Sequence, residues 1–424
     1  MATRPARWPA ALALGGSAIG LVFAALSSLD YIQHLDRQVH GIHCSLLPGA
    51  AVEEAAASGC RTAMYSPYSA VMKGEVWGGI PIGLFAVGAF SFFIALSLYI
   101  LIGRDRVPRR AVVLLGIAGI TPLLVSIGMA IISATQLGSF CQTCIGIYIG
   151  SALLAAGALA CWWDDNKTSK GLVMAREEAA EYDDATPPPK GPRLMGSPMI
   201  LAGGLITLGA FAILPGALYL RTVPSYTDKV IGCGKLTDLT DPKEALLHVQ
   251  GGSPRQNVTM LVDPLCPTCK GFHDRLVSEG YFEAMDANLV LFPLDSACNW
   301  NLSTPLHPGA CTVSKAVICA KGRELAVLEW AYAQQEELLQ AAKAKDGEAA
   351  VVAMIEQRWP NTKACLEKPE TTQQLDEMMR FATRNKLPVS TPQLFIGDTK
   401  LCDEDIDMGL PYALQRIAPT LAKK

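Results

Sequence analysis

Five stretches of this 424-residue sequence contain no Asp, Glu, Lys or Arg, although charged residues make up 18% of the whole. A helix rises about 1.5 Å per residue, so a run of about 22 mostly apolar residues crosses the hydrocarbon layer of a bilayer. The sequence therefore predicts five membrane-spanning helices. They are Trp8–Leu29, Ile80–Ile102, Ala111–Ser133, Phe140–Trp163 and Leu194–Leu220.

The sequence also lacks an excess of positive charge. The net charge is −3 and aromatic residues account for 7% of the chain, so no basic face indicates a nucleic-acid partner. It contains no internal repeat of the kind that builds a solenoid. These absences leave a membrane protein with a lipid environment as the favoured class.

Lysine and arginine are scarce on one side of the predicted spans. With a cytoplasmic amino terminus, the outer connections between the spans hold only Arg37, Arg61 and Lys73. The inner segments hold eleven: Arg4, Arg7, Arg104, Arg106, Arg109, Arg110, Lys167, Lys170, Arg176, Lys190 and Arg193. The positive-inside rule favours this orientation. A cleaved signal peptide is the alternative for the first span, but the apolar run is long and no clear cleavage site precedes Asp30.

This orientation divides the chain into four parts. Residues 1–165 form a membrane domain of four helices, residues 166–193 a flexible cytoplasmic linker with three consecutive prolines, and residues 194–220 a fifth, linking helix. Residues 221–424 are long enough for a soluble domain, which the five spans place outside.

Twelve of the thirteen cysteines fall on the predicted outer side. An even set of cysteines that faces an oxidising compartment indicates disulfide chemistry. Cys161, near the inner end of the fourth span, is the exception, and we expect it to have a packing role.

Cys141 and Cys144 form a CxxC pair at the start of the fourth span. The unpaired amides at a helix start stabilise a thiolate, and the adjacent bilayer is where a lipid-soluble oxidant is found. A static disulfide is the alternative, but a link over so few residues constrains the unfolded chain little. Redox use is the favoured interpretation.

Cys266 and Cys269 form a second CxxC pair. An apolar β-rich run, Asn257–Val262, precedes it, and a helical pattern through Phe272, Leu276 and Phe282 follows. Strand, CxxC and helix in this order are typical of the thioredoxin fold, in which Cys266 is the exposed thiol and Cys269 resolves mixed disulfides. Zinc binding is the alternative, but no second pair at finger-like spacing is present, so we expect no metal.

The other outer cysteines predict three structural disulfides, with fifteen possible connectivities. They are Cys233, Cys298, Cys311, Cys319, Cys365 and Cys402. Cys298 and Cys311 flank a loop rich in Asn, Pro and Gly and are a plausible local pair. We expect His307 in that loop to be a solvated histidine. His273, one helical turn after Cys269, is a candidate for tuning the thiols.

The first 165 residues resemble the vitamin K epoxide reductase family. The family carries two cysteines in the first outer loop, here Cys44 and Cys60, and a CxxC at the fourth helix. Ser66 stands six residues after Cys60 and Tyr148 four after Cys144, the positions of the family's residues near the quinone. The run Trp77–Pro81 is similar to the entry to the family's second span.

The carboxy-terminal part resembles DsbA-like oxidases of the thioredoxin fold. Thr391 and Pro392 match the cis-proline loop that contacts substrate peptides, and Ser314–Arg384 has the composition of the helical insertion. The resemblance implies a mixed fold class: an α-helical membrane domain followed by an α/β thioredoxin-like domain with a helical insertion.

Together the resemblances imply an enzyme, a quinone-dependent thiol oxidase of the bacterial cytoplasmic membrane with a periplasmic thioredoxin-like domain. Electrons would pass from reduced client proteins to Cys266 and Cys269, then to Cys44, Cys60, Cys141 and Cys144, and finally to ubiquinone or menaquinone. One alternative is outward flow that keeps a periplasmic reductase or isomerase reduced. Another is a membrane-anchored chaperone or receptor whose cysteines are only structural.

Overall fold

The computed structural model describes ten parts of the chain: residues 7–35, 54–103, 106–138, 140–181, 195–223, 225, 230, 232–241, 243–402 and 408–421. Its residues divide into two compact units. We call Met1–Met72 with Gly79–Pro224 the helical unit, and Lys73–Gly78 with Ser225–Lys424 the sheet unit. Cys44 lies outside the described residues.

The helical unit contains five helical segments that are long and apolar enough to cross a membrane, as the sequence predicts. Its helices are α1 (Trp8–Leu35), α2 (Glu54–Tyr65), α3 (Ile82–Gly103), α4 (Arg109–Ala118), α5 (Thr121–Ile132), α6 (Gln142–Glu181) and α7 (Met199–Thr222). The segments Ala70–Val71 (β1) and Ile80–Pro81 (β2) pair as a short antiparallel ribbon. Helix α3, the second predicted span, therefore begins at Ile82, two residues later than predicted.

Helices α1 and α6 pack with their backbones in contact. A Cβ atom added to Gly16 would lie 2.4 Å from the backbone nitrogen of Leu154, and one added to Gly157 would lie 2.4 Å from that of Ala13. Small residues allow this close approach, which membrane helices use because lipid supplies no hydrophobic force between them. Cys161 is buried in the core of this unit, as expected for a packing role.

The third predicted span is a broken helix. Helix α4 ends at Ala118, with Gly119 as its C-cap, and α5 begins at Thr121, with Pro122 in its first turn. The segment then continues as one turn of π-helix, Ser133–Leu137, which ends at Gly138 with a φ of 62°. Pro122 has no backbone N–H to donate to the preceding turn, so the helix is interrupted just before it.

Helix α6 extends well beyond the predicted fourth span. It runs without interruption from Gln142 to Glu181. The prediction of a flexible linker from residue 166 is therefore wrong for residues 166–181, which are helical. Ala, Glu, Arg and Met dominate the last turns, and all four are strong helix formers that sustain the helix once the apolar span has ended.

The sheet unit contains a five-stranded sheet in the order β3-β5-β4-β6-β7. The strands are β3 (Leu247–Gln250), β4 (Gln256–Val262), β5 (Met285–Leu291), β6 (Gln393–Ile396) and β7 (Thr399–Lys400). Strands β4 and β5 are parallel, whereas the other neighbouring pairs are antiparallel. Helix α8 (Pro267–Ser278) connects the parallel pair. This arrangement is a thioredoxin-like fold, as the sequence predicts.

A helical insertion separates β5 from β6, which confirms the prediction for Ser314–Arg384. It consists of α9 (Ala310–Cys319), α10 (Glu324–Ala333), α11 (Gln335–Ala342), α12 (Gly347–Arg358), α13 (Lys363–Leu366) and α14 (Pro369–Arg384). Helix α15 (Leu410–Ile417) follows the sheet. Phe282 lies in a separate 3₁₀ turn, not in α8.

Three disulfides join the six cysteines that the sequence assigned to structural bonds. Cys298 pairs with Cys311, as predicted, across 13 residues. Cys319 pairs with Cys365 across 46, and Cys233 with Cys402 across 169. The first of these bonds fixes the loop between β5 and α9, which runs beside the carboxyl end of β4.

Candidate redox sites

The first dithiol lies at the start of α6. Cys141 immediately precedes the helix, and Cys144 lies in its first turn. The Cys141 sulfur accepts a hydrogen bond from the Cys144 backbone N–H at 3.4 Å and lies 2.9 Å from the Thr143 hydroxyl. Both cysteines carry free thiols. Amides at a helix start favour the thiolate form, so this position suits a thiol that exchanges electrons.

Helix α2 brings a third cysteine to this dithiol. The sulfur of Cys60 lies 3.3 Å from that of Cys141, and both residues are buried. Cys60 is disulfide-bonded. A disulfide bond is about 2.05 Å long, so the two sulfurs are not bonded but are close enough for one to attack the other.

Gly59 allows this approach. A Cβ atom at position 59 would lie 2.7 Å from the backbone carbonyl oxygen of Phe140. Any larger residue would require one backbone to move, because the obstacle is not a flexible side chain. Gly59 and Phe140, the residues just before Cys60 and Cys141, therefore pack closely, and we expect a larger residue at position 59 to move the two sulfurs apart.

Two further predicted residues lie on the same helices. Tyr148 is half-buried, one turn after Cys144 on α6. Ser66, just beyond α2, is buried and its hydroxyl donates a hydrogen bond to the carbonyl of Ala63 at 2.7 Å. The Ser66 hydroxyl proton is thus already committed to the backbone.

The second dithiol lies at the start of α8 in the sheet unit. Cys266 is the N-cap residue in an extended conformation, Pro267 occupies the first turn, and Cys269 lies within the helix. Proline fits the first helical turn because the N–H that it lacks would have no helical partner there. The predicted places of the two cysteines, before the helix and one turn into it, are confirmed by the structure. The prediction that Cys266 is exposed is wrong, because its side chain is buried beside the carbonyl of Thr391. The roles of both cysteines stay predictions.

The two thiols of this pair differ in acidity. A hydrogen bond from the Cys269 thiol, aided by the backbone N–H of Cys269, lowers the pKa of Cys266 to about 6, against the opposing effect of burial. Burial raises the pKa of the Cys269 thiol. Near neutral pH, Cys266 is therefore the thiolate and Cys269 the protonated donor.

The loop before β6 closes over Cys266. The peptide bond between Thr391 and Pro392 is cis, and the carbonyl oxygen of Thr391 lies 3.6 Å from the Cys266 sulfur. The buried side chain of Gln393 donates hydrogen bonds to the carbonyls of Pro388 at 3.0 Å and Ser390 at 2.7 Å. These bonds fix the loop, so that Thr391 stays in contact with Cys266.

The expectation of a solvated His307 is wrong. Its Nδ1 atom lies 2.7 Å from a carboxylate oxygen of Asp263, a fully buried residue at the end of β4. Sequence reasoning missed this pair because 44 residues separate its members. One indication that a charged partner was needed is present in the sequence: Asp263 stands three positions before Cys266, directly after an apolar strand.

His273 is buried behind the second dithiol. Its Nε2 atom lies 3.2 Å from Glu329, and its ring packs against Phe282 and Tyr332. Cys269 lines the same small cavity. The role of His273 in tuning the thiols stays a prediction. Within the described ranges, no three His, Cys, Asp or Glu residues are grouped so that they could hold a metal ion.

Residues 11–159 match the Vitamin K epoxide reductase family. The match covers most of the predicted range and includes both Cys60 and the dithiol of α6. Among curated proteins, none matches this chain. The part of the chain similar to the vitamin K epoxide reductase family is thus joined to a thioredoxin-like domain. With its five apolar helices, the chain is a multi-pass membrane oxidoreductase with thiol–disulfide chemistry.

One solved structure is similar to the chain, a thioredoxin-like oxidoreductase from Silicibacter pomeroyi DSS-3. The identity is 18%, the alignment covers 42% of this chain and 92% of that one, and the TM-score is 0.26. At this score the likeness adds no evidence for the fold, which is assigned from the strand order of the sheet unit.

Proposed function

We propose that this protein is a quinone-dependent thiol oxidase that regenerates disulfide-forming capacity for client proteins. The observation that carries the proposal is the 3.3 Å separation between the sulfurs of Cys60 and Cys141. A disulfide-bonded cysteine in contact with a dithiol at a helix start is arranged for thiol–disulfide exchange. A purely structural set of cysteines would not require such a contact.

The second dithiol supplies the entry point for electrons. A client thiolate attacks the Cys266–Cys269 disulfide, and a second client thiol then releases the client in its oxidised form. Cys266 and Cys269 now hold the two electrons. The low pKa of Cys266 makes it both a good leaving group and a thiolate at neutral pH, which suits an oxidant of other thiols. Backbone groups of Thr391 and Pro392, beside Cys266, would contact the client peptide.

The electrons then move by exchange between sulfurs. The Cys266 thiolate attacks Cys44 of the Cys44–Cys60 disulfide and releases the Cys60 thiolate. Cys60 attacks Cys141 of the Cys141–Cys144 disulfide and releases the Cys144 thiolate. Cys269 then displaces Cys44 from Cys266, and Cys44 displaces Cys141 from Cys60. These two displacements restore the Cys266–Cys269 and Cys44–Cys60 disulfides. The Cys141–Cys144 disulfide forms again when Cys141 and Cys144 lose two electrons and two protons.

A membrane quinone, ubiquinone or menaquinone, supplies the oxidising power by accepting those two electrons and two protons. The surrounding residues fit such a ring. Tyr148 offers a phenolic proton one turn from Cys144, and Phe140 and Ile149 are exposed apolar side chains of the same part of the chain. The Tyr148 hydroxyl would hydrogen-bond a quinone oxygen as negative charge develops there.

The proposed compartment follows from the distribution of Lys and Arg. Eleven of these residues lie in the segments assigned to the inside, and three lie in the outer connections between the spans. The positive-inside rule therefore favours a cytoplasmic amino terminus in a bacterial cytoplasmic membrane and a periplasmic sheet unit. In this orientation both dithiols and Cys60 share the oxidising side.

Trapping tests the proposal. In a Cys269→Ser variant, Cys266 lacks its resolving thiol, so we expect it to accumulate in mixed disulfides with client proteins and with Cys44. Mass spectrometry identifies the adducts, and Cys266→Ser/Cys269→Ser is the control that forms none. A wild-type Cys266–Cys269 pair that is fully reduced in growing cells would instead indicate outward electron flow and would contradict the proposal.

A further inference from the structure

The Asp263 carboxylate connects three segments around the second dithiol. One of its oxygens accepts a hydrogen bond from the backbone N–H of Leu265 at 2.7 Å, and the other from that of Leu294 at 2.8 Å. The backbone N–H of Asp263 itself faces the Cys269 sulfur at 3.5 Å, and its carbonyl accepts the N–H of Cys266 at 3.2 Å. Asp263 is thus part of the framework that holds both cysteines.

The charge of this carboxylate works against the nearby thiol. The Asp263 side chain is fully shielded from solvent, and a buried charge needs a partner of opposite sign or hydrogen bonds to be tolerated. Its negative charge also raises the pKa of Cys266, although the hydrogen bonds from Cys269 outweigh this effect. A cation beside Asp263 would therefore favour the Cys266 thiolate.

His307 is placed to be that cation. Its side chain is 17% exposed, and Nδ1 lies 2.7 Å from Asp263. Burial lowers the pKa of His307, but the hydrogen bond and charge of Asp263, together with the charges of Cys266 and Asp295, give a net increase. This environment therefore favours the imidazolium form more than water does.

The loop that carries His307 is fixed at both ends. The backbone N–H of His307 donates to the carbonyl of Leu294 at 3.0 Å, and Asp295 accepts the N–H of Gly309 at 2.9 Å. Gly309 has a φ of 89°, which glycine adopts without strain, and the Cys298–Cys311 disulfide closes the loop. A surface loop without a function at position 307 would not require this many constraints.

We propose that His307 is a positioning residue of the second dithiol: its imidazolium, held against Asp263, balances the carboxylate charge beside the Cys266 sulfur. This inference rests on the proposed function only in taking Cys266 as the reactive thiol. The other ionisable groups that interact with His307 or Asp263 are Cys266, Cys269, Asp295 and Tyr332.

The pH dependence of Cys266 alkylation in the full-length protein tests the proposal. His307→Asn keeps an N–H donor near the position of Nδ1 but removes the positive charge. We expect alkylation of Cys266 at pH 6, measured by mass spectrometry of its peptide, to slow by about threefold to fivefold, because a higher thiol pKa leaves less thiolate. At pH 9 the variant and the wild type should react alike. His248→Asn, an exposed histidine paired with Asp286 on the sheet edge, is the matched control and should match the wild type at both pH values.

A second pair of variants tests whether His307 acts through Asp263. In an Asp263→Asn background the carboxylate charge is absent, so His307→Asn should change the alkylation profile by less than about twofold. An equal effect in both backgrounds, or no effect in either, would overturn the proposal. Because alkylation of Cys266 needs neither quinone nor membrane exchange, a failure of the proposed oxidase activity would leave this result intact.

A measurement on the wild-type protein avoids any folding defect of the variants. Hydrogen exchange at the imidazole C2 position, followed by mass spectrometry, gives the pKa of each histidine separately. The pKa of His307 should be higher when Cys266 and Cys269 are reduced than when they form a disulfide, because the thiolate stabilises the imidazolium. The same pKa in both redox states would contradict the proposed coupling.

Discussion

The sulfur of Cys60 lies 3.3 Å from the sulfur of Cys141, although 81 positions separate the two residues in the sequence. Cys60 is on α2 and Cys141 precedes α6, so the contact depends on how these two helices meet. Gly59 meets the backbone of Phe140 at the same point. The adjacent residues therefore fix the geometry on which sulfur exchange would depend.

Substitution of Gly59 by alanine should separate the two sulfurs. The new methyl group would lie 2.7 Å from the Phe140 carbonyl oxygen, so α2 or the start of α6 must shift. We expect oxidation of the Cys60 and Cys141 thiols to a disulfide by an added small-molecule disulfide, in a Cys44→Ser/Cys144→Ser background, to slow about tenfold, because the exchange needs close and aligned sulfurs. Peptide mapping by mass spectrometry after a timed quench gives the rate.

Gly128→Ala is the control for this experiment. A Cβ atom at Gly128 meets no heavy atom within 4 Å, and alanine is the better helix former. Equal rates for the two alanine variants would show that the contact at Gly59 does not set the distance between the sulfurs.

Alkylation of Cys266 in the wild type should rise with pH through a midpoint of about 6. Its pKa is lower in the folded protein than that of an unfolded thiol, about 8.5. The reduced folded state therefore gains stability that is fully present above about 8.5 and is lost as the pH falls through about 6. Cys269→Ala removes the largest cause of the low pKa, so its midpoint should move upward. A wild-type midpoint near that of a free thiol would refute the assignment of Cys266 as the thiolate.

Tyr148→Phe should slow quinone reduction by at least about tenfold, because a hydrogen bond to developing charge is lost in a site that excludes water. Ser66→Ala should have a smaller effect, since the Ser66 hydroxyl proton is donated to Ala63. Quinone absorbance during turnover with a reduced thiol substrate measures both. If Tyr148→Phe turns over quinone at the wild-type rate, its proposed contact is wrong. Formation of the Cys60–Cys141 disulfide is the control and should be unchanged.

The proposed orientation can be tested by labelling. After reduction of intact cells whose outer membrane has been removed, an impermeant maleimide should reach Cys266. A cysteine introduced by Lys170→Cys, on the exposed face of α6 beyond the predicted span, should stay unlabelled until the cells are lysed. Labelling of Lys170→Cys in intact cells together with protection of Cys266 would reverse the orientation.

Much of the fold follows from local pattern. The apolar runs predict the five long helices because burial in lipid requires about 20 uncharged residues. The Asn257–Val262 run and the CxxC that follows it predict β4 and α8 for the same local reason, and the structure confirms both.

The features that the sequence left undetermined depend on contacts between distant residues. Six cysteines allow fifteen connectivities, and only the packing of α9 against α13 brings Cys319 to Cys365. His307 reads as a loop residue until the fold places it against Asp263. The extension of α6 could have been predicted locally, because Ala, Glu and Arg favour helix. The charged residues after Trp163 and the prolines at 187–189 favoured a linker instead.

The most direct test of the central claim is the redox state of Cys266 and Cys269 in full-length protein that is reduced, reconstituted with quinone and quenched with acid at timed intervals. Differential alkylation should show that the pair becomes oxidised in the wild type but stays reduced in Cys60→Ser. In the proposed path, electrons from the second dithiol reach Cys141 only through Cys60. Oxidation of Cys266 and Cys269 at the same rate in both proteins would contradict the proposed path.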